Sequence, residues 1–175
     1  MARHNIGVAI GIPEPFSSQL QDARERYGDP NAADIPPHLT LLPPTMVDAL
    51  QLPVVEQHLR KVAAAAPRFR LHLRGSGTFR PVSPVVFVPV VEGEEPSRHL
   101  ERAVRGGPIR RQLKFPYHPH VTIAHDVRAE LLDRAFTEMA TFSAAFDVAS
   151  FQLFEQRSGV WRPLEEYAFP EPAEG

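Results

Sequence analysis

The sequence predicts an α+β protein built as two pseudo-symmetric lobes, each an antiparallel-rich sheet with outer helices, facing each other across a central cleft. Three observations lead there. The pattern Pro, His, aliphatic, Thr, aliphatic occurs twice, as Pro37-His38-Leu39-Thr40-Leu41 and Pro119-His120-Val121-Thr122-Ile123, with the copies 82 residues apart. Around each copy the periodicities run in the same order: helix, His-x-Thr strand, helix, strand, strand. Proline and glycine punctuate these segments, and helices must cover one face of each sheet to bury it.

The first half opens with an additional strand, the apolar run Ile6 to Ile12, which Pro13 ends. A helix starts near Pro15, a residue suited to a first turn, and carries Phe16, Leu20, Ala23 and Tyr27 on one stripe before Gly28. Asp29 to Pro37 is a proline-rich loop leading into the first His-x-Thr strand, which Pro43 and Pro44 close. The second helix begins around Pro53, buries Val55, Leu59, Val62, Ala63 and Ala66, and stops at Pro67. Phe69 to Leu73 and Val85 to Val91 read as neighbouring strands, joined by a loop with Gly75, Gly77, Phe79 and Pro81.

In the second half Pro96 opens a third helix, with Glu94 and Glu95 at its positive end and Leu100, Ala103 and Val104 on its apolar face. After Gly106-Gly107 a loop delivers the second His-x-Thr strand. Asp126 is placed to cap a fourth helix whose apolar residues are Leu131, Leu132, Ala135, Phe136 and Met139. Two strands follow, Phe146 to Glu155 and Val160 to Phe169, with Ser158-Gly159 as the turn. The expected organisation is a single bilobal domain over 1–170, with lobe-forming halves of about 1–92 and 93–170 and a flexible tail at 171–175.

Composition narrows the function. With 19 basic and 21 acidic residues and a net charge of −2, the chain lacks the basic excess needed to grip long duplex nucleic acid. A small nucleotide or an RNA end remains compatible. The absence of cysteine excludes disulfides, thiolate zinc sites and cysteine nucleophiles. No apolar stretch reaches membrane-spanning length and no charged segment followed by a long apolar run opens the chain, so a cytoplasmic protein is expected; a monomer is the expected state, although no residue pattern fixes it.

In a strand, alternate side chains share a face, so His38 lies beside Thr40 and His120 beside Thr122, with the aliphatic residues opposed. A lone strand histidine is explained by a bond to a backbone carbonyl. The same polar pair at matching positions in two repeats calls instead for a shared site. One imidazole can accept a proton while the other donates one, and threonine hydroxyls can hold non-bridging phosphoryl oxygens. The matching reaction is in-line displacement at a phosphodiester with no metal, no cofactor and no covalent intermediate. A non-catalytic module holding a phosphate ligand or RNA end in the same cleft is the alternative. A third reading, a divalent metal on His38, His118 and His120, leaves the threonines without a role.

The motifs PHLTL and PHVTI, in a duplicated chain of this size, resemble those of the two-histidine phosphoesterase superfamily, which includes bacterial 2′-5′ RNA ligase-like proteins, also described as RNA 2′,3′-cyclic phosphodiesterases. The resemblance covers roughly Ile6 to Phe169 and implies two lobes around a cleft. It implies His38 and His120 as catalytic residues, Thr40 and Thr122 as phosphate-binding hydroxyls, a 2′,3′-cyclic substrate, and the reverse joining of RNA ends through a 2′-5′ bond. The chain departs from RNA-end-processing members by carrying Ala124-His125 where an Arg often follows the second motif. Tyr117 and Phe79 are candidates for stacking on a nucleobase. His125, of opposite strand parity to His120, is expected behind the strand or at its end.

Overall fold

The computed structural model describes residues 2–174. Its elements are β1 (Arg3–Gly11), α1 (Phe16–Arg26), β2 (His38–Asp48), α2 (Leu52–Ala65), β3 (Phe69–Arg74), β4 (Gly77–Thr78), β5 (Val85–Glu92), α3 (Glu94–Arg105), β6 (His120–His125), α4 (Ala129–Glu138), a short 3₁₀ turn (Met139–Thr141), β7 (Ser143–Val148), β8 (Ser150–Arg157) and β9 (Val160–Ala168). The architecture is α+β. Among the described residues no helix is long and apolar enough to cross a membrane.

All strand pairs are antiparallel, in the order β7-β3-β5-β6-β2-β1-β8-β9, with β4 adding to β5 beside β3. The two His-x-Thr strands, β2 and β6, lie side by side at the centre and pair at one position, Leu39 opposite Val121. On either side the order mirrors itself. One lobe is β2-β1-β8-β9; the other is β6-β5-β3-β7 with β4.

These lobes are not the two halves of the sequence, which corrects the expected division at residue 92. The repeating unit runs strand, helix, strand, helix, strand, and its copies open with β1 and β5. The opening strand of the first half is thus not additional; its counterpart is β5, which lies before the expected boundary. A later strand of each copy crosses to the other lobe: β3 pairs with β5, and β8, which in the second copy follows β7, pairs with β1. Each crossing covers a sheet edge that would otherwise expose unpaired N–H and C=O groups. It also splits the expected strand from Phe146 to Glu155. Only Ala149 separates β7, which pairs with β3, from β8, which pairs with β1.

Local sequence explains the remaining boundaries. β2 runs on through Pro43-Pro44, which were expected to close it. Its edge facing β6 is unpaired there, and its register with β1 skips between Leu42 and Thr45, so the missing N–H groups break no ladder bond. Asp126 takes a left-handed conformation, φ 56°, and α4 begins only at Ala129, so the expected cap is not formed. Phe136, expected in the core, is 41% exposed.

The helices lie against the aliphatic face of the sheet. α3 packs on β2 and α1 on β6, so each copy's first helix also supports the other lobe's motif strand. Leu39, Leu41, Val121 and Ile123 join Leu20, Leu59, Leu100 and Leu132 in one core that spans both lobes. Fully burying a side chain of this kind stabilises the fold by about 1.5–3 kcal/mol. That burial fixes which strand face remains for His38, Thr40, His120 and Thr122.

Candidate active site

With Leu39 opposite Val121, antiparallel register sets His38 across from Thr122 and Thr40 across from His120. All four are half-buried on the face opposite the core. Directly opposed residues have Cβ atoms about 4.5–5.5 Å apart and diagonal ones about 7–8 Å. The two imidazoles therefore stand on a diagonal of this patch, each opposite the other motif's threonine.

The two rings are held alike. His38 Nδ1 donates to the Pro36 carbonyl at 2.8 Å, and His120 Nδ1 donates to the His118 carbonyl at 2.6 Å. In each case a proline, Pro37 or Pro119, stands between donor and acceptor residue. It fixes its own φ and holds the preceding residue extended, which turns that carbonyl back toward the ring. With the proton on Nδ1, each Nε2 keeps its lone pair as a base. Burial pushes the His38 pKa down to about 4, against the favourable carbonyl bond, with the nearby charges of Arg24 and His120 adding to the depression. Burial also holds the His120 pKa below its ordinary value.

Aromatic groups wall both sides. The His38 ring is 4.6 Å from Trp161, which stacks on Phe154. The His120 ring lies 5.0 Å from Phe79 and 5.1 Å from Phe87, and His118 packs against the same two phenyl rings. Each wall lies over a strand glycine: Phe154 covers Gly7 on β1, and Phe87 covers Gly77 on β4. A Cβ on Gly77 would come within 2.6 Å of Phe87, and one on Gly7 would run into the Phe154 ring.

Phe79 thus reaches the site as the sequence suggested. Tyr117 is tied down at its hydroxyl. Its hydroxyl donates to the Thr40 carbonyl at 2.7 Å, and its own carbonyl accepts from Arg98 on α3. Tyr117 is a strut between the lobes.

His125 ends β6, one of the two placements expected for it, but its parity is not the expected one. Val86 pairs with Ala124 and Phe87 with Thr122, so Ile123 is the extra residue of a bulge, and both Ile123 and Ala124 are buried. The bulge reverses the alternation and returns His125 to the cleft, where it lines a cavity of about 150 Å³ with Arg24, Asp29, Asn31, His38 and Thr122. The same bulge follows the first motif, where Leu41 and Leu42 are both buried, and Pro43 is the counterpart of His125. Among the described residues no three His, Asp or Glu side chains converge as a metal-ligand set.

Sequence reading missed Trp161, Phe87, Phe154 and Arg24. Two signals could have found part of this wall: Trp161 is the chain's single tryptophan, and Gly7 interrupts a strand interior, a mark of close approach by a neighbour.

A model of the 2′-5′ RNA ligase superfamily matches residues 12–160. The chain belongs to that superfamily. A relative from Halalkalibacterium halodurans that carries the name phosphoesterase is 32% identical over 167 residues, covering 93% of this chain and 96% of the relative. A second from Oceanobacillus iheyensis, also named a phosphoesterase, is 31% identical over 86% of this chain and 88% of its own. Among solved structures, E. coli LigT with 3′-AMP shares the fold with a TM-score of 0.78 at 21% identity, covering 97% of this chain and 100% of LigT. TT0787 of Thermus thermophilus follows at 0.62 and 23% identity, covering 94% and 97%. As a member of the 2′-5′ RNA ligase superfamily with phosphoesterase relatives, the chain is an enzyme of phosphoester chemistry.

Proposed function

We propose that this superfamily member is a metal-independent phosphodiesterase that opens a 2′,3′-cyclic phosphate on a nucleotide or RNA end. The observation that carries the reading is the diagonal placement of His38 and His120 across the β2–β6 pair, each opposite the other motif's threonine and each with Nδ1 bonded to a carbonyl, so that Nε2 carries the lone pair. In the reaction one neutral imidazole takes a proton from water as its oxygen bonds to phosphorus. The phosphorus–ribose oxygen bond breaks, and the other imidazole, protonated at Nε2, gives its proton to the departing ribose oxygen. The product is a phosphomonoester beside a free hydroxyl, and one proton has moved between the histidines, to be returned through solvent. Thr40 and Thr122 donate to the non-bridging oxygens as negative charge builds on them. The same displacement with an RNA 5′-hydroxyl in place of water, the 3′ oxygen departing and the 2′ oxygen keeping its bond to phosphorus, is 2′-5′ ligation.

The Phe79 and Trp161 walls supply apolar faces for a base or ribose next to these groups. The relative LigT has been crystallised with 3′-AMP, with phosphate and with ATP, which supports a small nucleotide as ligand. The test is hydrolysis of 2′,3′-cyclic mononucleotides by chelator-treated protein. A single phosphomonoester regioisomer is expected at a rate unchanged by the chelator. Saturable binding without product would instead identify a binding module, and loss of activity to the chelator would identify a metal enzyme.

A further inference from the structure

The phosphodiester brings one negative charge to the site, and a second develops during attack. The threonines are neutral, and the two imidazoles bring one proton between them during turnover. A fixed positive charge is missing from the four motif residues.

The 150 Å³ cavity beside His38 and Thr122 holds one. Arg24, on α1, is 4% exposed. A guanidinium cannot shed its proton, and its burial costs several kcal/mol unless its donors are satisfied. Its Nε is 3.4 Å from Asp29 Oδ2, and its Nη1 donates to the Ile35 carbonyl and the Gln21 side chain. Asp29 Oδ1 is taken by the Asn31 N–H at 3.0 Å. Nη2 has no hydrogen-bond partner among the described residues and is not enclosed in the protein without one. The α1–β2 loop, with Gln21 of α1, therefore holds Arg24 through Nε and Nη1 and leaves Nη2 without a partner among the described residues, and Arg24 lines one cavity with His38 and Thr122.

We propose that Arg24 is a phosphate-binding residue, its Nη2 donating to a non-bridging oxygen of the group held between His38 and His120. This deepens the phosphodiesterase reading and rests on it for the identity of the anion. Asn31 and His125 complete a polar wall around that oxygen. Asp29 moderates the charge, so that the cavity attracts an anion without binding the phosphomonoester product too tightly to release.

The test pairs Arg24→Gln with Asp29→Asn, which removes both charges and retains hydrogen-bonding groups. Inorganic phosphate is the probe, titrated by calorimetry against wild type and variants, alongside kinetics on 2′,3′-cyclic AMP. The double variant is expected to fold, to bind phosphate at least tenfold more weakly, to lose about 10²–10³ in kcat, and to regain part of it with added methylguanidine. Asp29→Asn alone is expected to bind phosphate at least as tightly as wild type. Should the double variant not fold, Arg24→Lys, which keeps the charge beside Asp29 but not the forked donors, gives the same readout with a smaller loss. A folded variant that binds phosphate as wild type does, within threefold, overturns the assignment. Phosphate binding needs no turnover, so a wild type that binds through Arg24 yet cleaves no cyclic phosphate defeats the phosphodiesterase reading alone.

Discussion

His38 and His120 are bases made weak by burial, and their behaviour with pH follows. The His38 pKa is about 4 in the folded chain, against an ordinary value near 6.5. Below pH 6.5 the unfolded chain takes up a proton that the fold refuses, so this group's stability contribution is full at neutral pH and declines as pH falls toward 4. At about 1.4 kcal/mol per unit the loss is of the order of 2–3 kcal/mol, with His120 acting in the same direction. Urea midpoints at pH 7 and pH 4.5 should therefore fall further apart for wild type than for His38→Gln; equal falls would remove burial as the cause. For activity, one ring must be protonated and the other neutral, so kcat/KM should be bell-shaped with its maximum on the acid side of 6.5. The histidines and threonines were legible because each carries its chemistry in its own side chain and the pattern occurs twice. Arg24 was not, because an arginine in an amphipathic helix reads as solvated until the loop that buries it is folded.

The bulge after each motif is the element that decides what faces the cleft. Strand alternation placed His38, Thr40, His120 and Thr122 correctly and failed at His125, since one extra residue in the pairing reverses parity and leaves no mark in composition. The walls depend on glycines beneath them. Gly7→Val would force Phe154 from its seat and with it Trp161, at a cost of about 1–3 kcal/mol, and should raise KM for a cyclic nucleotide more than it lowers kcat. Steady-state kinetics with a thermal melt would check this, and unchanged KM with intact stability would mean that the wall does not touch substrate. Tyr117→Phe removes the strut to the Thr40 carbonyl. It should destabilise by about 0.5–1.5 kcal/mol, measured by urea denaturation, whereas a loss below that range would show the hydroxyl to be as well satisfied by water.

At the scale of the whole molecule, β3 of the first copy pairs with β5 of the second and β8 of the second with β1 of the first, so neither lobe can be assembled from one half of the sequence. Residues 1–92 expressed alone should remain unfolded by circular dichroism. The intact chain should unfold in one transition, with Trp161 fluorescence and far-ultraviolet signal coincident. Separated transitions would show lobes that stand independently. The repeat was readable from the two motifs, but its true boundary was not, because strand pairing across lobes is set by open sheet edges and not by sequence proximity. β2 and β6 meet where the two lobes join, with Leu39 opposite Val121, and the diagonal of imidazoles forms there. The direct test is single-turnover hydrolysis of 2′,3′-cyclic AMP by wild type, His38→Ala, His120→Ala and the double variant. Each single replacement should slow the chemical step by about 10²–10⁴, and the double variant should be little slower than either. Near wild-type turnover by either single variant would contradict a site shared by the two histidines.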